Sequence, residues 1–88
     1  MALIRKKIDK EYFELIKSGK KDFEIRVADF EIKEGDALIL EEKDPKTQKL
    51  TGRKIKKKVK QVFYKPLEKI GQIDQIKKHG LYVIQLEV

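Results

Sequence analysis

The sequence predicts a small α+β domain that is mainly β, a mostly antiparallel β-barrel of about five strands with two short helices. The chain has 88 residues, enough for one domain around a single core. Apolar and polar residues alternate in several short runs that glycine-containing turns separate. The order strand, helix, strand, strand, strand, helix, strand is too short for a doubly wound parallel sheet, and closing the strands into a barrel protects their edges.

The first strand and the first helix are predicted within the N-terminal 19 residues. Residues 2–8 can form a short strand, and Asp9 follows as a helix N-cap. Glu11 lies in the first turn, where the helix dipole favours an anion, and Gly19 stands just beyond the predicted helix end. The apolar residues of the helix share one face: Tyr12, Phe13 and Ile16.

Two more strands are predicted before residue 43. Residues 22–27 alternate strictly, so that an apolar set and a charged set lie on opposite faces. The apolar set is Phe23, Ile25 and Val27, and the charged set is Asp22, Glu24 and Arg26. A turn at Gly35 leads into a strand over residues 37–42, and a loop from Asp44 to Gly52 connects it to the next strand as a long hairpin.

A long basic strand is predicted from Arg53 to Tyr64. Four of its lysines share one face, at a spacing of about 7 Å between alternate residues: Lys54, Lys56, Lys58 and Lys60. The other face holds Ile55, Val59 and Phe63. The lysine row matches a run of phosphates, although edge strands also carry lysines to repel other strands. Lys57 falls on the apolar face, which indicates either a rim position or a β-bulge.

The C-terminal quarter is predicted to hold the second helix and the last strand. Pro66 opens a helical segment that Gly71 interrupts and Gly80 ends, and residues 81–88 are rich in β-branched and aromatic residues. His79 precedes Gly80, so we interpret it as a partner of the helix C-terminus and not as a catalyst.

Composition excludes several classes of site. The chain has no cysteine, which excludes disulfides and thiolate-bound metals, and it lacks the phosphate-loop and dinucleotide motifs. Glu41, Glu42 and Asp44 can be read as a cation site, but neighbours on a strand face opposite ways, so we predict a solvated acidic edge. We therefore expect no metal and no cofactor. Short apolar runs and the lack of a signal-peptide pattern favour a cytoplasmic protein that does not contact membranes. The sequence does not reveal the oligomeric state, and a monomer is the default expectation.

Charge is distributed unevenly along the chain. The formal net charge is +7, and charged residues make up 42% of the sequence, a composition typical of thermophilic proteins. Residues 29–44 hold seven acidic residues against two lysines, whereas residues 53–78 hold ten basic residues against two acidic ones. Such polarity predicts a positive surface of the kind that nucleic-acid-binding proteins use.

The most informative segment is GKKDFEIR, at the junction between the first helix and the second strand. It places Lys21, Glu24 and Arg26 within six residues where the chain turns sharply. Such a group predicts a shared pocket for an anion or a polar ring, because functional sites gather groups that perturb one another. The alternative is a surface ion pair between Glu24 and Arg26, which contributes little.

The motif G-x-K-x-x-E-x-R, here Gly19, Lys21, Glu24 and Arg26, resembles the signature of the ASCH superfamily. Members of that superfamily share a β-barrel related to the PUA RNA-modification domain. The segments DKEYFELIKSG, KEGDALILEEKDP, LTGR and GLYVIQLEV also resemble one small ASCH-like branch, so the resemblance covers most of the chain.

This resemblance implies an RNA-binding or nucleobase-recognising domain whose motif lines a cleft between the barrel and the first helix. By position, Lys21 would be the cationic anchor, and Arg26 would hold Glu24 or an anion in place. Glu24 would accept hydrogen bonds from a ligand or from Arg26. The lysine row would add affinity for phosphates, and three tyrosines are candidates for stacking on a base: Tyr64, Tyr12 and Tyr82.

Two other functions stay open. One bacterial ASCH branch hydrolyses acetylated cytidine, but its nucleophile is a threonine where Glu24 stands here. An amidohydrolase-like enzyme would instead need Glu24 to activate a water and Lys21 to polarise a carbonyl, with Glu68 as a weak candidate acid. Alternatively, the strand face that carries the lysine row could bind an acidic protein.

Overall fold

The computed structural model describes residues 1–66 and 79–87, and these contain five strands and one helix. The elements are β1 (Leu3–Asp9), α1 (Lys10–Lys17), β2 (Phe23–Val27), β3 (Ala37–Lys43), β4 (Leu50–Lys65) and β5 (Leu81–Leu86). The first helix and all five predicted strands are thus confirmed, with small differences at their ends. The predicted second helix, with Gly71 and Glu68, lies outside the described residues, as does Val88.

The strands form one five-stranded mixed sheet in the order β1-β3-β4-β5-β2. Strand β1 runs parallel to β3, and the other three pairings are antiparallel. A parallel pair needs a crossover connection, which here passes through α1 and β2. In the described part of the chain no backbone ladder joins the edge strands β1 and β2, so the sheet is mainly antiparallel but not closed into a barrel.

The core lies between α1 and one face of the sheet. Helix α1 contributes Phe13 and Ile16, both almost completely buried. They pack with buried strand residues from β1, β3, β4 and β5: Ile8, Leu38, Leu40, Val59, Ile84 and Leu86. Burying such side chains stabilises the fold by about 1.5–3 kcal/mol each relative to exposing them. This arrangement fixes α1 over β1 and β3, and therefore fixes the position of the segment that follows the helix.

The acidic segment is less exposed than the sequence suggests. Asp36 is buried, and its two carboxylate oxygens accept hydrogen bonds from the backbone N–H groups of Ala2 (3.0 Å) and Lys33 (2.9 Å). These two bonds lower the pKa of Asp36 below its ordinary value. Asp36 therefore holds the start of the chain against the turn before β3.

Glu42 corrects the prediction of a solvated acidic edge. Its exposed fraction is only 2%, and its carboxylate accepts hydrogen bonds from Thr51 Oγ1 (2.7 Å) and Arg53 Nη1 (3.2 Å). The other terminal nitrogen of Arg53 donates to Glu14 Oε1 on α1 at 2.7 Å. The prediction was wrong because the long hairpin supplies partners that make burial of this charge tolerable. We call Glu42, Thr51, Arg53 and Glu14 the hairpin cluster.

Strand β4 contains a bulge that changes its facing pattern. Its register with β5 shifts between Val59 and Gln61. Beyond the shift Val62 packs against the core and Phe63 is half exposed, so the predicted apolar face of Ile55, Val59 and Phe63 was wrong for Phe63. Lys57 precedes the bulge and is half-buried on the core face, which agrees with its predicted rim position.

Candidate functional site

The turn after α1 orients the motif. Gly19 has a φ of +81°, a left-handed conformation that favours glycine, and its N–H donates to the carbonyl of Ile16. The N–H of Lys21 donates to the carbonyl of Leu15 at 3.0 Å. These bonds end the helix with a glycine in the left-handed region and fix the backbone at Lys21 before β2 begins.

Strand β2 reverses the usual facing of an amphipathic strand. Glu24 is only 4% exposed, whereas Phe23 and Ile25 are 40% and 53% exposed. An ordinary half-buried strand would turn its apolar set inward. Here the charged set of Glu24 and Arg26 faces the interior side, which is the arrangement expected when a strand serves a polar site and not the core.

Glu24 joins the two cations of the motif. Lys21 Nζ lies 3.3 Å from Glu24 Oε1, and Arg26 Nε lies 2.9 Å from Glu24 Oε2. The Glu24 side chain is 5% exposed, while those of Lys21 and Arg26 are 19% and 25% exposed. The carboxylate is therefore clamped beneath two cationic groups that still reach solvent, and the three charged groups converge.

Aromatic rings border the Lys21 ammonium group. Its Nζ lies 4.7 Å from the centre of the Tyr12 ring and 5.3 Å from that of Phe23. Both distances are within the range of a cation–π interaction. Tyr12, on the first turn of α1, is half exposed and thus presents a ring beside the charged trio.

These residues line one open cleft of about 430 Å³. Two further cations and a second carboxylate complete its charged lining: Lys7, Lys43 and Asp9. Four cations against two carboxylates give the cleft a positive balance. Asp9 stands at the N-cap of α1 with extended backbone angles, as predicted, but its side chain makes no capping hydrogen bond. Its Oδ1 instead lies 3.4 Å from Lys43 Nζ, buried and without a hydrogen-bond partner among the described residues.

The cleft occupies the gap between the two edge strands. Residues 7–9 of β1 form one wall, and residues 24–26 of β2 form the other. Arg26 spans this gap, because its Nη2 donates to the carbonyl oxygen of Lys7 at 2.7 Å. One guanidinium therefore holds Glu24 on its own strand and the backbone of the opposite strand at the same time.

The predicted lysine row lies away from the cleft. Lys54, Lys56, Lys58 and Lys60 are all exposed, and none of them lines the cleft. Lys58 pairs weakly with Glu87 (3.8 Å), and the bulge at Lys60 interrupts the strict alternation of the row. The structure thus keeps the lysines exposed but separates them from the motif.

The remaining predicted residues have structural contacts. The Tyr64 hydroxyl donates to the carbonyl of His79 at 3.0 Å, and the Tyr64 ring is half exposed. Tyr82 is half-buried and donates to the carbonyl of Phe30 at 2.7 Å. Of the three tyrosines proposed for stacking, only Tyr12 lines the cleft.

Sequence reasoning missed three residues of the cleft, Lys7, Asp9 and Lys43. No local pattern distinguishes them from other charged residues near strand ends. They meet because β1 pairs in parallel with β3, which places Asp9 opposite Lys43.

Comparisons with known proteins identify a family but no activity. A family model described as "Domain of unknown function (DUF3850)" matches residues 5–75. The crystal structure of hypothetical protein PH0355 is similar over 99% of this chain and 98% of that one, with 26% identity and a TM-score of 0.69. No curated protein matches the chain. Among residues 1–66 and 79–87, no helix is both long and apolar enough to span a membrane.

Proposed function

The chain belongs to the DUF3850 family, whose description assigns no function, and from that premise we propose that it binds RNA or a nucleotide in the cleft between β1 and β2. In this proposal the residues of the ASCH-like motif, Gly19, Lys21, Glu24 and Arg26, form the ligand site. The observation that carries it is the convergence of two solvent-reaching cations and a buried carboxylate on one cleft.

The composition of the cleft suits a nucleotide. Its positive balance attracts a phosphate, and Lys21 retains donors beyond the one that it directs at Glu24. The half-exposed ring of Tyr12 offers a face for a base. A volume of about 430 Å³ falls within the usual range of small-ligand sites. Phosphate and base thus find complementary groups within one cleft.

Glu24 acts as a positioning residue in this proposal. Each of its oxygens already accepts a hydrogen bond from a cation, so it fixes the directions of the Lys21 and Arg26 head groups. Holding two cations in place before the ligand arrives reduces the entropy that binding must remove. The ligand then meets a site whose donors are already oriented.

The same contacts favour binding over hydrolysis. A Glu24 that took a proton from water would lose the negative charge that Lys21 and Arg26 both contact, so these two contacts oppose its action as a base. The candidate acid Glu68 lies outside the described residues. We therefore propose a binding module, and turnover of an acetylated nucleoside that disappears in Lys21→Ala would contradict this choice.

We also propose that the fold is an ASCH-type, PUA-like barrel whose closure is incomplete. Its described elements follow the order along the chain that the sequence predicts, and the unpaired edges β1 and β2 lie on opposite sides of the cleft. A side-chain bridge from Arg26 takes the place of the missing backbone ladder. In this proposal the gap where the barrel fails to close, between β1 and β2, is also the ligand site.

Titration with nucleoside 5′-monophosphates, followed by NMR chemical-shift changes, tests the proposal. We expect shifts at Lys21, Arg26 and Tyr12, and about a tenfold loss of affinity in Lys21→Gln, equivalent to ~1.4 kcal/mol. Lys20→Gln is a matched control, because Lys20 is exposed, lies outside the cleft lining and carries the same charge. Equal losses in the two variants, or no shifts at low salt, would refute a cleft-directed site.

A further inference from the structure

The sheet register assembles a basic surface that extends the predicted lysine row. Residues paired across strands share one face of a sheet. Strand β3 lies between β1 and β4. In one row Ala37 of β3 pairs with Leu3 and Lys58, and in the next row Ile39 pairs with Arg5 and Lys56. A third row joins Lys7, Glu41 and Lys54. This surface faces away from α1, because Ile8, Leu38 and Leu40, which pack beneath the helix, have the opposite parity.

We define this basic face by its five exposed cations, Arg5, Lys7, Lys54, Lys56 and Lys58. They form two columns, one on β1 and one on β4, separated by two strand spacings or about 10 Å. The floor between the columns is the buried pair Ala37 and Ile39 in the first two rows and the partly exposed Glu41 in the third. The face therefore resembles a shallow channel with cationic sides and a base that is apolar over two of its three rows.

The cations of the basic face are largely uncompensated. Among the described residues, Lys58 has a weak partner in Glu87, and no carboxylate lies within ion-pair distance of the other four. Elsewhere in the described chain, four cations (Lys21, Arg26, Lys43 and Arg53) have carboxylate partners and the other lysines have none within ion-pair distance, so the basic face is distinguished by the gathering of such cations in two facing columns. Uncompensated charge on one face indicates an anionic partner, since mutual repulsion otherwise weakens the fold.

Lys7 belongs both to the basic face and to the cleft lining. The row that contains it is the last before Asp9 and Lys43, which also line the cleft. The channel thus leads into the cleft at this end of β1, and one extended ligand can occupy both.

We infer that a single strand of RNA lies along the basic face and inserts one unpaired nucleotide into the cleft. This inference rests on the proposed function of the cleft. Rows about 7 Å apart match successive phosphates of an extended strand, and cations on both sides can contact the same backbone. A paired base cannot enter the cleft unless it first leaves its stack, which favours a single strand over a duplex. Three rows and one inserted nucleotide give a site of about four nucleotides.

Oligouridylates of one to eight residues, titrated against the whole protein at several salt concentrations, test this inference. We expect affinity to rise up to about four residues and then to level off. The double variant Lys54→Gln/Lys56→Gln should weaken tetramer binding and make the salt slope shallower by about 1.4, two contacts for a single strand, while leaving uridine monophosphate binding unchanged. Lys46→Gln/Lys49→Gln, on the exposed hairpin tip, is the matched control.

Three results would overturn the inference, and they are distinguishable from failure of the cleft. If monophosphate binds and longer oligomers bind no tighter, the cleft stands and the extended site falls. If tetramer binding depends on Lys54 and Lys56 but neither ligand responds to Lys21→Gln, the face binds RNA alone and the cleft proposal fails. If polyglutamate competes as well as RNA at equal charge, the face is a general acidic-partner surface.

Discussion

Glu24 and Glu42 are two buried glutamates with similar partners and different surroundings. Each has one carboxylate oxygen held by an arginine and the other by a second donor, Lys21 for Glu24 and Thr51 for Glu42. Arg53 uses its remaining terminal nitrogen to reach Glu14 on the helix, so the hairpin cluster joins α1 to the β3–β4 hairpin. Arg26 uses its Nη2 to bridge the edges of β1 and β2 beside an open cleft.

The comparison shows that a clamped carboxylate is not in itself evidence of a binding site. Both clusters satisfy the buried charge, as a folded protein requires. Both arginines border open space, because Arg53 lines a second cleft of about 390 Å³, so the clusters differ in what their cations join. In the hairpin cluster Arg53 stacks over the Phe13 ring at 4.9 Å and links three elements of the fold. At the cleft, Lys21 and Arg26 line open space together with Lys7 and Lys43.

The largest expected effect is on stability, in the hairpin cluster. Glu42→Ala removes a buried charge that Thr51 and Arg53 both contact, and we expect the free energy of unfolding to fall by about 3 kcal/mol. Urea denaturation measures it. Glu41→Ala is the control, since Glu41 lies on the opposite face and has no ion-pair partner among the described residues; its change should stay within about 0.5 kcal/mol. Similar losses in both variants would contradict the assignment of a structural role to Glu42.

The same conservative substitution in both clusters should separate binding from stability. Arg26→Lys leaves one ammonium where a fork reached both Glu24 and the Lys7 carbonyl, so we expect nucleotide affinity to fall about tenfold. Arg53→Lys should lower the free energy of unfolding by about 1 kcal/mol and leave nucleotide affinity unchanged. Titration and urea denaturation of both variants check this. A loss of binding in Arg53→Lys would remove the distinction between the clusters.

The smallest expected effect is on the stability of the fold at acidic pH. The hydrogen bond from Arg53 holds the pKa of Glu14 below its ordinary value of 4.5. A carboxyl whose pKa is lower in the folded state stabilises the fold at pH values above the unfolded pKa, and this contribution is lost as pH falls through the folded pKa. We therefore expect Glu14→Gln to make the urea midpoint less sensitive to pH below about 4.5, because the variant lacks this titration.

Asp36→Asn provides the reference for that measurement. Two backbone hydrogen bonds lower the pKa of Asp36 in the folded state. Removing this carboxyl should therefore also make the urea midpoint less sensitive to pH, at pH values below about 3.8. An acid profile that neither substitution alters would show that these two carboxyls do not control acid stability.

Local sequence patterns predicted the positions of the strands and of the first helix well, but they predicted less well which side chains are buried. Period-two alternation identified β2, but only tertiary pairing shows that Glu24 faces inward while Ile25 faces solvent. Glu42 was expected to be solvated, because its partner Arg53 lies eleven residues away across the hairpin. The bulge that exposes Phe63 likewise depends on the register with β5.

The motif residues could be found because they are close in sequence, and the rest of the cleft could not. Lys21, Glu24 and Arg26 span six residues and were predicted to share a pocket, and the structure brings them together. Lys7, Asp9 and Lys43 join them only through the parallel pairing of β1 with β3. Parallel pairing links distant segments, and no single-strand pattern in this sequence specifies it.

Strands β1 and β2 are joined by a hydrogen bond from the Arg26 side chain to the Lys7 carbonyl, and this is where the sheet can open. Separating two strands joined by a ladder would break several backbone hydrogen bonds, whereas among residues 1–66 and 79–87 a single hydrogen bond, from Arg26, joins β2 to β1. A ligand that binds the Arg26 guanidinium in place of the Lys7 carbonyl would allow the two strands to separate. A ligand that contacts both β1 and β2 would hold them together. Occupancy and the closure of the sheet are thus thermodynamically linked, and the linkage is reciprocal.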